Sequence, residues 1–425
     1  MRPVADASTF ERNRSIEGSF WNFPDEKELL LHRIHAYPAK FPPFLVHKLI
    51  EHFESRGKNV RLVADPFCGC GTSALESARL GKDFWGCDIN PVATLIARTK
   101  SRRYQPNHLH QLHQEILSRT SSSSTLAPKR YHMHERLNYW FDPSKIDSLY
   151  RLYWSIIKVV SDGKYREFFL TGFSNILKPC SRWLTKSIKP QVDPKKKPAD
   201  PLQAFDTQIS TMIKGVEETL NTFKYQSRIR IVNRDLLALP IDQGFADVVI
   251  TSPPYVTSYE YADLHQLSAI WLGYADDYRK LRNGSIGSRQ NAGGIERRYE
   301  QVNQVAKDTY RSLRKFDGAV ANSVLRYFYD LNLAVQKVKD ILKVGGSVAF
   351  VIGNTGYKGV PIDNAKILIQ CMLDNQFKNV QVSKRKISRK NLTPYRDRHG
   401  RFTSHARGRK VYSHEYVLIG EKHEK

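Results

Sequence analysis

Five consecutive residues, Thr251-Ser252-Pro253-Pro254-Tyr255, combine groups that could hold an amino group and direct its lone pair. Each proline removes a backbone N–H donor and fixes φ, so the pair leaves a rigid set of carbonyl acceptors. Hydrogen bonds from an exocyclic amino group of a base to the Ser252 hydroxyl and the Pro253 carbonyl would make its nitrogen pyramidal. The ring of Tyr255 could stack on that base and stabilise positive charge on the nitrogen by about 1–2 kcal/mol. Taken alone, the segment is equally compatible with a chain turn.

A glycine-rich stretch, Asp65 to Ala74, has the spacing G-x-G-x-x-A between a predicted strand and a predicted helix. Asp88 lies 19 residues after Gly69 (88 − 69 = 19). This pattern is compatible with a nicotinamide enzyme, in which glycines let the backbone approach a pyrophosphate and the acid binds ribose hydroxyls. The carboxylate of Asp65 at the strand end argues against a pyrophosphate and instead suits an ammonium group.

Alternating strands and helices must position both segments. The run from Val60 predicts a buried strand that ends at Asp65, and the next helix has Thr72 or Ser73 as its predicted N-cap and Gly81 as its C-cap. Residues 82–91 predict a second strand. A strand, a glycine turn, a helix and a strand in this order are the opening of a doubly wound α/β sheet.

Two later strands are predicted to end at Asp235 and Ser252. Ligands of open α/β sheets bind beyond the carboxyl ends of the strands, so we expect Asp65, Asp88, Asp235 and Ser252 to converge on one crevice. A long helix, a Gly345-Gly346 turn and a strand follow. The C-terminal stretch adds one more predicted helix and two more strands.

Two segments interrupt this scheme. Residues 101–227 are aromatic, basic and helical in pattern, and they far exceed the dozen or so residues that a crossover connection needs. The second interruption is a basic loop at 275–318. We therefore predict an α/β fold, a Rossmann-like doubly wound and mostly parallel sheet with a largely helical inserted subdomain. Residues 1–100 would supply the N-terminal cofactor-side segment and the first half of the core, and 228–425 the second half.

Charge and composition restrict the class of protein. The 425 residues include 67 Lys and Arg against 42 Asp and Glu, which gives a formal net charge of +25. Such a charge favours a polyanionic partner, most commonly nucleic acid, with an anionic membrane surface as the alternative. A mean hydropathy of −0.50 and the lack of an apolar run of about 20 residues exclude an integral membrane protein.

The N-terminus and the cysteines indicate the compartment. The N-terminal stretch has no apolar region of the kind that a secretory signal needs. Five scattered cysteines predict neither a disulfide framework nor a zinc site, since Cys68 and Cys70 are spaced C-x-C with no second pair. We therefore expect a reducing, cytoplasmic environment and no metal.

Three motifs together resemble the amino-methyltransferases that modify DNA at the exocyclic nitrogen of cytosine or adenine with S-adenosylmethionine. DPFCGCGT at Asp65–Thr72 resembles their cofactor motif, and TSPPY resembles their catalytic motif. HRIHAYPAKFPP at His32–Pro43 resembles the cofactor-side motif of the N4-cytosine branch. In this family a Ser in the catalytic tetrapeptide is more usual for cytosine N4, and an Asp for adenine N6. The resemblance covers about 32–90 and 228–360.

The resemblance implies a methyltransferase sheet and roles for individual residues. At the methionine end of the cofactor, Phe67, Gly69 and Gly71 would form the floor. Asp65 would hold the amino group, and Thr72 belongs to the same cofactor-binding set. The catalytic set would be Ser252 to Tyr255.

Other residues would bind the remaining parts of the cofactor. Asp88 would bind the ribose hydroxyls, Ile89 would lie against the adenine, and Asp235 would bind the adenine amino group. Lys40 and Phe41 would contact the carboxylate end. From the residues alone, Asp235 is equally compatible with a helix cap and Lys40 with a solvated side chain.

The aromatic residues near the catalytic motif allow two interpretations. Trp271, Tyr259 and Tyr261 are most simply core or pocket-wall residues. The second reading is that one of them touches the target base.

The resemblance also implies double-stranded DNA as substrate, extrusion of the target base, and a restriction-modification role with a companion restriction endonuclease. The insert would read the target sequence, although the basic loop at 275–318 could do the same. Residues 178–197 carry seven Lys or Arg and one Asp, and residues 384–410 carry eleven and one. Such runs are usually solvated faces, but phosphate contacts would use them, and we predict DNA contact for both.

Several alternatives stay open at this stage. They are a DNA adenine-N6 methyltransferase, an RNA base amino-methyltransferase, a catalytically silent nucleic-acid-binding protein and a nicotinamide oxidoreductase. One chain predicts neither the recognition sequence nor the oligomeric state.

Overall fold

The computed structural model describes the larger part of the chain. The described residues are 21, 28–38, 40–187, 189–220, 222–223, 227–256, 261–287, 294–387, 395–396, 402–403, 409–410 and 414–424. Within these residues, no helix is long and apolar enough to cross a membrane.

The described elements alternate between strands and helices in the core and are all helical between β2 and β3. The strands are β1 (Leu62–Asp65), β2 (Asp83–Asp88), β3 (Ile229–Asn233), β4 (Ala246–Thr251), β5 (Leu342–Ile352), β6 (Thr355–Tyr357), β7 (Val360–Ile362), β8 (Lys378–Lys386), β9 (Tyr395–Arg396), β10 (Phe402–Thr403), β11 (Arg409–Lys410) and β12 (His414–Glu421). The α-helices are α1 (Pro43–Ser55), α2 (Thr72–Arg79), α3 (Pro91–Ser101), α4 (Pro106–Ser122), α5 (Lys129–His132), α6 (Glu135–Trp140), α7 (Pro143–Val159), α8 (Gly163–Ile176), α9 (Pro201–Thr219), α10 (Tyr261–Leu264), α11 (Gln266–Trp271), α12 (Ile295–Gln301), α13 (Gln304–Arg314), α14 (Gly318–Ile341) and α15 (Asn364–Asp374). Short 3-10 helices span Leu30–Arg33, Leu236–Ala238 and Tyr278–Arg282.

Seven strands form the central sheet in the order β3-β2-β1-β4-β5-β12-β8. The pairs among the first five are parallel, and β12 runs antiparallel to both β5 and β8. The predicted fold class, a Rossmann-like and mostly parallel methyltransferase sheet, is confirmed. Because the carboxyl ends of β3, β2, β1 and β4 are neighbours, one edge of the sheet collects the residues that follow these strands.

The buried apolar residues fall into separate clusters. Two clusters lie against the sheet: one contains the buried face of α14, including Leu331 and Val335, and the other the buried face of α1, including Leu45 and Leu49. A third cluster joins helices α4 to α9, with Trp140 and Phe169 fully buried in it. The insert therefore shares its apolar cluster with Leu31, with Leu75 of α2 and with Trp271 of α11, whereas no strand of the sheet contributes to it.

Three local expectations differ from the structure. Gly71, with φ of +77°, is the N-cap of α2, so neither Thr72 nor Ser73 caps that helix. The Gly345-Gly346 pair lies inside β5 rather than in a turn before it, and Gly345 has a φ of +76° where the pairing with β4 shifts register. A glycine at positive φ absorbs such a bulge without steric cost.

The segment 275–318 is also more regular than a loop. It contains the 3-10 helix Tyr278–Arg282 and the helices α12 and α13. Hydrophobic residues of α13, such as Leu313, pack under α14, which explains why the basic composition alone misled the prediction. Most of the run 384–410 lies outside the described residues.

Candidate active site

The edge of the sheet joins the glycine-rich and the proline-rich segments directly. Thr251 ends β4, and its hydroxyl donates to Asp65 Oδ1 at 2.6 Å, at the end of β1. The two strands are paired neighbours. Two segments that are 186 residues apart in sequence therefore share one buried hydrogen bond.

Asp65 is almost fully buried and is held by three donors. Besides Thr251, its Oδ1 accepts the Phe67 backbone N–H at 3.1 Å, and its Oδ2 accepts the Ser73 hydroxyl at 2.8 Å. Burial raises the pKa of Asp65 to about 6, although these hydrogen bonds oppose the rise. Since each carboxylate oxygen can accept two hydrogen bonds, Oδ2 has one acceptor position left.

Asp88 ends β2 and faces the same glycine turn. Its Oδ2 accepts the Gly69 N–H at 2.9 Å and its Oδ1 accepts the Asn90 N–H at 2.8 Å. Burial raises the pKa of Asp88 to about 6. Each oxygen keeps one free acceptor position, which is the arrangement that two neighbouring hydroxyl groups require.

The next strand end brings Asp235 close to Ile89. Asp235 follows β3, and its side chain caps the 3-10 helix Leu236–Ala238 by accepting the Leu237 N–H at 2.9 Å. A Cβ placed on Gly284 would lie 2.8 Å from Ile89 Cδ1 and 3.1 Å from Asp235 Oδ2. The segment that follows Tyr278 therefore passes over both side chains.

The proline-rich segment is fixed from outside. The Tyr327 hydroxyl on α14 donates to the Pro254 carbonyl at 2.6 Å, while no described residue donates to the Pro253 carbonyl. Burial raises the pKa of Tyr255 well above the usual range. Gly353 at the end of β5 allows the ring to approach the backbone, because a Cβ there would lie 3.0 Å from Tyr255 Cε2.

The loop before α1 closes the site on the other side. The ring of Tyr37 lies against the glycine turn, 3.4 Å from where a Gly69 Cβ would be, and stacks on Tyr261 with centroids 5.7 Å apart. Lys40 is bound to Glu28 at 2.5 Å and to the His32 carbonyl at 3.1 Å, and its side chain is 24% exposed. Phe41 packs against the core beside α1.

The remaining predicted residues lie at the start of α2. Phe67 packs against the cluster that contains α14, whereas Phe41 packs against the cluster that contains α1. Thr72 is buried at the first turn of α2, and its hydroxyl has no hydrogen-bond partner among the described residues. A side chain on Gly71 would lie 2.5 Å from the Ala97 Cα, so only glycine fits between the turn and α3.

The residues present fit S-adenosylmethionine, the cofactor that the resemblance implies. A carboxylate with a free acceptor position suits the amino group, a second carboxylate with two such positions suits the ribose, and a glycine turn lies between them. Among the described residues, no group of three or more His, Cys, Asp or Glu side chains could hold a metal ion.

Sequence reasoning missed four residues that organise this site: Ser73, Thr251, Tyr37 and Tyr327. Thr251 had a detectable signal, since a hydroxyl at the end of a parallel strand faces the neighbouring strand end. Tyr37 belongs to the N-terminal motif His32–Pro43, but the sequence analysis predicted no role for it. The contact of Tyr327 comes from a helix 73 residues away, and no local pattern indicates it.

Comparison with known proteins finds similarity to methyltransferases. Residues 6–98 match the family described as DNA methylase. The type II methyltransferase M.MvaI of Kocuria varians is 24% identical over 85% of this chain and 85% of its own length. M.BsoBI of Geobacillus stearothermophilus is 25% identical over 85% of this chain and 80% of its own.

A shorter stretch is more similar to a third relative. The type II methyltransferase M.MjaII of Methanocaldococcus jannaschii is 34% identical over 23% of this chain and 18% of its own length. Among solved structures, magnesium protoporphyrin IX methyltransferase of Synechocystis aligns with 92% of each chain at 9% identity, with a TM-score of 0.32.

Proposed function

We propose that the chain is a DNA amino-methyltransferase that uses S-adenosylmethionine and methylates the N4 amino group of a flipped cytosine in double-stranded DNA, as its similarity to DNA methylases and type II methyltransferases supports. The role would be the modification half of a restriction-modification system, with a companion endonuclease. The observation that carries the proposal is the hydrogen bond between Thr251 and Asp65, because it joins the cofactor-side strand end to the amino-acceptor segment.

The acceptor geometry supports transfer to an amino group. The Pro254 carbonyl is engaged by Tyr327, so the Pro253 carbonyl and the Ser252 hydroxyl are the acceptors left for the two N–H groups. The cofactor supplies an electrophilic methyl group, and the Tyr255 ring stabilises the positive charge that develops on the nitrogen.

The choice of cytosine depends on Ser252. A neutral hydroxyl accepts one hydrogen bond from the amino group without removing a proton beforehand. The family resemblance associates this serine with cytosine N4 and an aspartate with adenine N6. The target base must leave the duplex, because its amino group is not accessible to in-line attack within the stack.

The insert offers a surface for DNA. Trp140 stacks on Trp183 with centroids 4.9 Å apart, and its Nε1 donates to Gln266 on α11 at 3.0 Å. Arg136 lies over the Tyr278 ring, 5.4 Å from its centroid. The basic run 178–197 and the segment after Tyr278 therefore border the same helix α6. The exposed cations of that run are Lys186, Lys189, Lys195 and Lys197.

Product analysis tests the proposal. The protein is incubated with S-adenosylmethionine and mixed-sequence DNA, and the digested nucleosides are measured by mass spectrometry. We expect N4-methylcytosine, and none with the Tyr255→Ala variant. N6-methyladenine would show that Ser252 does not select cytosine. If only tRNA were methylated, or if no methylated base formed across varied DNA sequences, the DNA function would be wrong.

A further inference from the structure

Lys100 is a buried lysine to which the proposed function assigns no role. It lies near the end of α3 and is only 1% exposed. Its Nζ donates to the Sγ of Cys70, in the glycine turn, at 3.3 Å. No carboxylate of the described residues lies within ion-pair distance of it. A lysine is almost never buried in this way without an anionic partner, because desolvating the ammonium costs several kcal/mol.

The surroundings of Lys100 contain another lysine and only one nearby carboxylate. Lys40 and Glu28 both act electrostatically on the Lys100 ammonium, and Glu28 is already bound to Lys40. Burial lowers the pKa of Lys100, and the charge on Lys40 lowers it further. The buried Lys100 and the partly exposed Lys40 therefore repel each other, and the Glu28 carboxylate attracts both.

The neighbouring acid and histidines do not correct this imbalance. The Glu76 carboxylate is engaged by His32 at 2.6 Å, by His47 and by Arg79 at 2.8 Å. Burial lowers the pKa of His35 to about 3, with a contribution from Lys100, so this imidazole is neutral and adds no charge. An additional anion would be stabilised between the two lysines.

The position of this cluster indicates which anion. The Lys100 ammonium lies between the glycine turn, through Cys70, and the loop His32–Lys40, through its charge interactions with His32 and Lys40. These are the two segments at the methionine end of the cofactor site. Lys100 is almost fully buried, which suits a carboxylate on a small ligand better than a DNA phosphate.

We propose that Lys100 joins Lys40, to which the family resemblance already assigns this role, in binding the carboxylate at the amino-acid end of S-adenosylmethionine, an inference that rests on the function proposed above. Glu28 is the carboxylate that holds Lys40 until the ligand arrives, and it gives up that contact on binding. Asp65 binds the amino group of the same ligand end, so the two charges of the amino acid meet opposite charges on the protein.

Two ligands that differ only in this carboxylate test the proposal. The dissociation constants of S-adenosylmethionine and decarboxylated S-adenosylmethionine are measured by calorimetry for the wild type, Lys100→Met and Lys40→Met. Methionine keeps the length of the side chain and removes its charge. We expect both variants to bind S-adenosylmethionine roughly 10- to 100-fold more weakly, the range for a hydrogen bond to a charged group, and the decarboxylated ligand within about twofold of the wild type.

Lys178→Met is the matched control. Lys178 is a half-buried lysine of the insert whose Nζ donates to the Ser187 carbonyl at 2.8 Å, far along the chain from the glycine turn. This variant should bind both ligands like the wild type. If Lys100→Met does not fold, Lys40→Met carries the comparison, because a side chain that is 24% exposed is less critical for folding than one that is almost fully buried.

The outcomes separate this inference from the function itself. Equal loss of affinity for both ligands, or no loss for either, would contradict the role of the two lysines while leaving the methyltransferase intact. A wild-type protein that binds neither ligand would overturn the proposed function instead.

Discussion

The glycine-rich segment after β1 and the proline-rich segment after β4 lie at the same edge of the sheet, but different interactions hold them in place. After β1, Gly69 and Gly71 have φ of +47° and +77°, and backbone N–H groups point at the carboxylates of Asp65 and Asp88. After β4, the two prolines offer no N–H groups, and the Tyr327 hydroxyl fixes the chain through the Pro254 carbonyl. Hydrogen bonds to two carboxylates therefore hold the first segment. The second segment is kept rigid by its prolines and carries no charged side chain.

This difference matches the chemistry that the proposed function assigns to each segment. A sulfonium cofactor carries an ammonium group and a ribose, both of which need charged or strongly accepting oxygens. A cytosine amino group must stay neutral until it attacks, so a hydroxyl, a carbonyl and a ring suit it better than a carboxylate. The comparison predicts that substitutions in the two segments affect different measurements.

The largest effect is expected for Tyr255→Ala. Removing the ring takes away the stacking surface and the stabilisation of the charged nitrogen, so the methylation rate should fall by about 1,000-fold or more, which corresponds to about 4 kcal/mol. The dissociation constant of the cofactor should change by less than about threefold. Single-turnover methylation and calorimetry measure the two quantities.

Tyr255→Phe is the control for the ring itself. It keeps the aromatic face and loses only the hydroxyl group, so its rate should fall by no more than about tenfold. If Tyr255→Ala weakened cofactor binding as much as methylation, Tyr255 would belong to the cofactor side, and the division between the two segments would be wrong.

The second effect concerns the glycine turn. Gly71→Ala forces a side chain into positive φ and within 2.5 Å of the Ala97 Cα, so the free energy of unfolding should fall by about 3 kcal/mol or more. Gly57→Ala is the matched control, since Gly57 has a φ of +80° with nothing within 4 Å of a Cβ. That variant should lose only about 1 kcal/mol. Urea denaturation compares the two, and equal losses would mean that α3 does not restrict the turn.

The sequence predicted the strand ends better than the contacts between them. Asp65, Asp88 and Ser252 could be placed because a parallel sheet collects the residues after its strands at one edge. The predicted N-cap of α2 was wrong. The Ser73 hydroxyl donates to Asp65 instead, and Gly71, in the left-handed conformation, precedes the helix as its N-cap. Propensity rules cannot anticipate a hydroxyl taken by a carboxylate on another element.

The insert shows the other limit of sequence reasoning. Its apolar spacing predicted helices, and its length excluded a simple crossover. The contact of Trp140 with Gln266 joins residues 126 positions apart, and nothing local in either segment indicates it. Likewise, Lys100 was not singled out, because burial of a lysine is a tertiary property.

The smallest effect is that of pH, and it distinguishes the charged segment from the neutral one. Burial raises the pKa of both Asp65 and Asp88 to about 6, so both lose charge as pH falls from 7.5 to 5. Cofactor affinity should weaken by about tenfold over this range for each carboxylate that the ligand needs ionised. Asp65→Asn should bind weakly at every pH and show a flatter dependence.

Folding stability should respond in the opposite direction. Because these pKa values are raised above the usual 3.8, the folded state binds protons more readily than the unfolded chain between about pH 4 and pH 6. The contribution of the two groups to the free energy of unfolding therefore increases as pH falls through this window. Cofactor affinity and the urea midpoint are therefore both measured at pH 7.5 and pH 5. If affinity falls while the midpoint does not, the loss of affinity comes from protonation of the carboxylates and not from unfolding. If affinity were constant between pH 7.5 and 5, neither carboxylate would bind the cofactor in its ionised form, and the contrast with the uncharged proline segment would disappear.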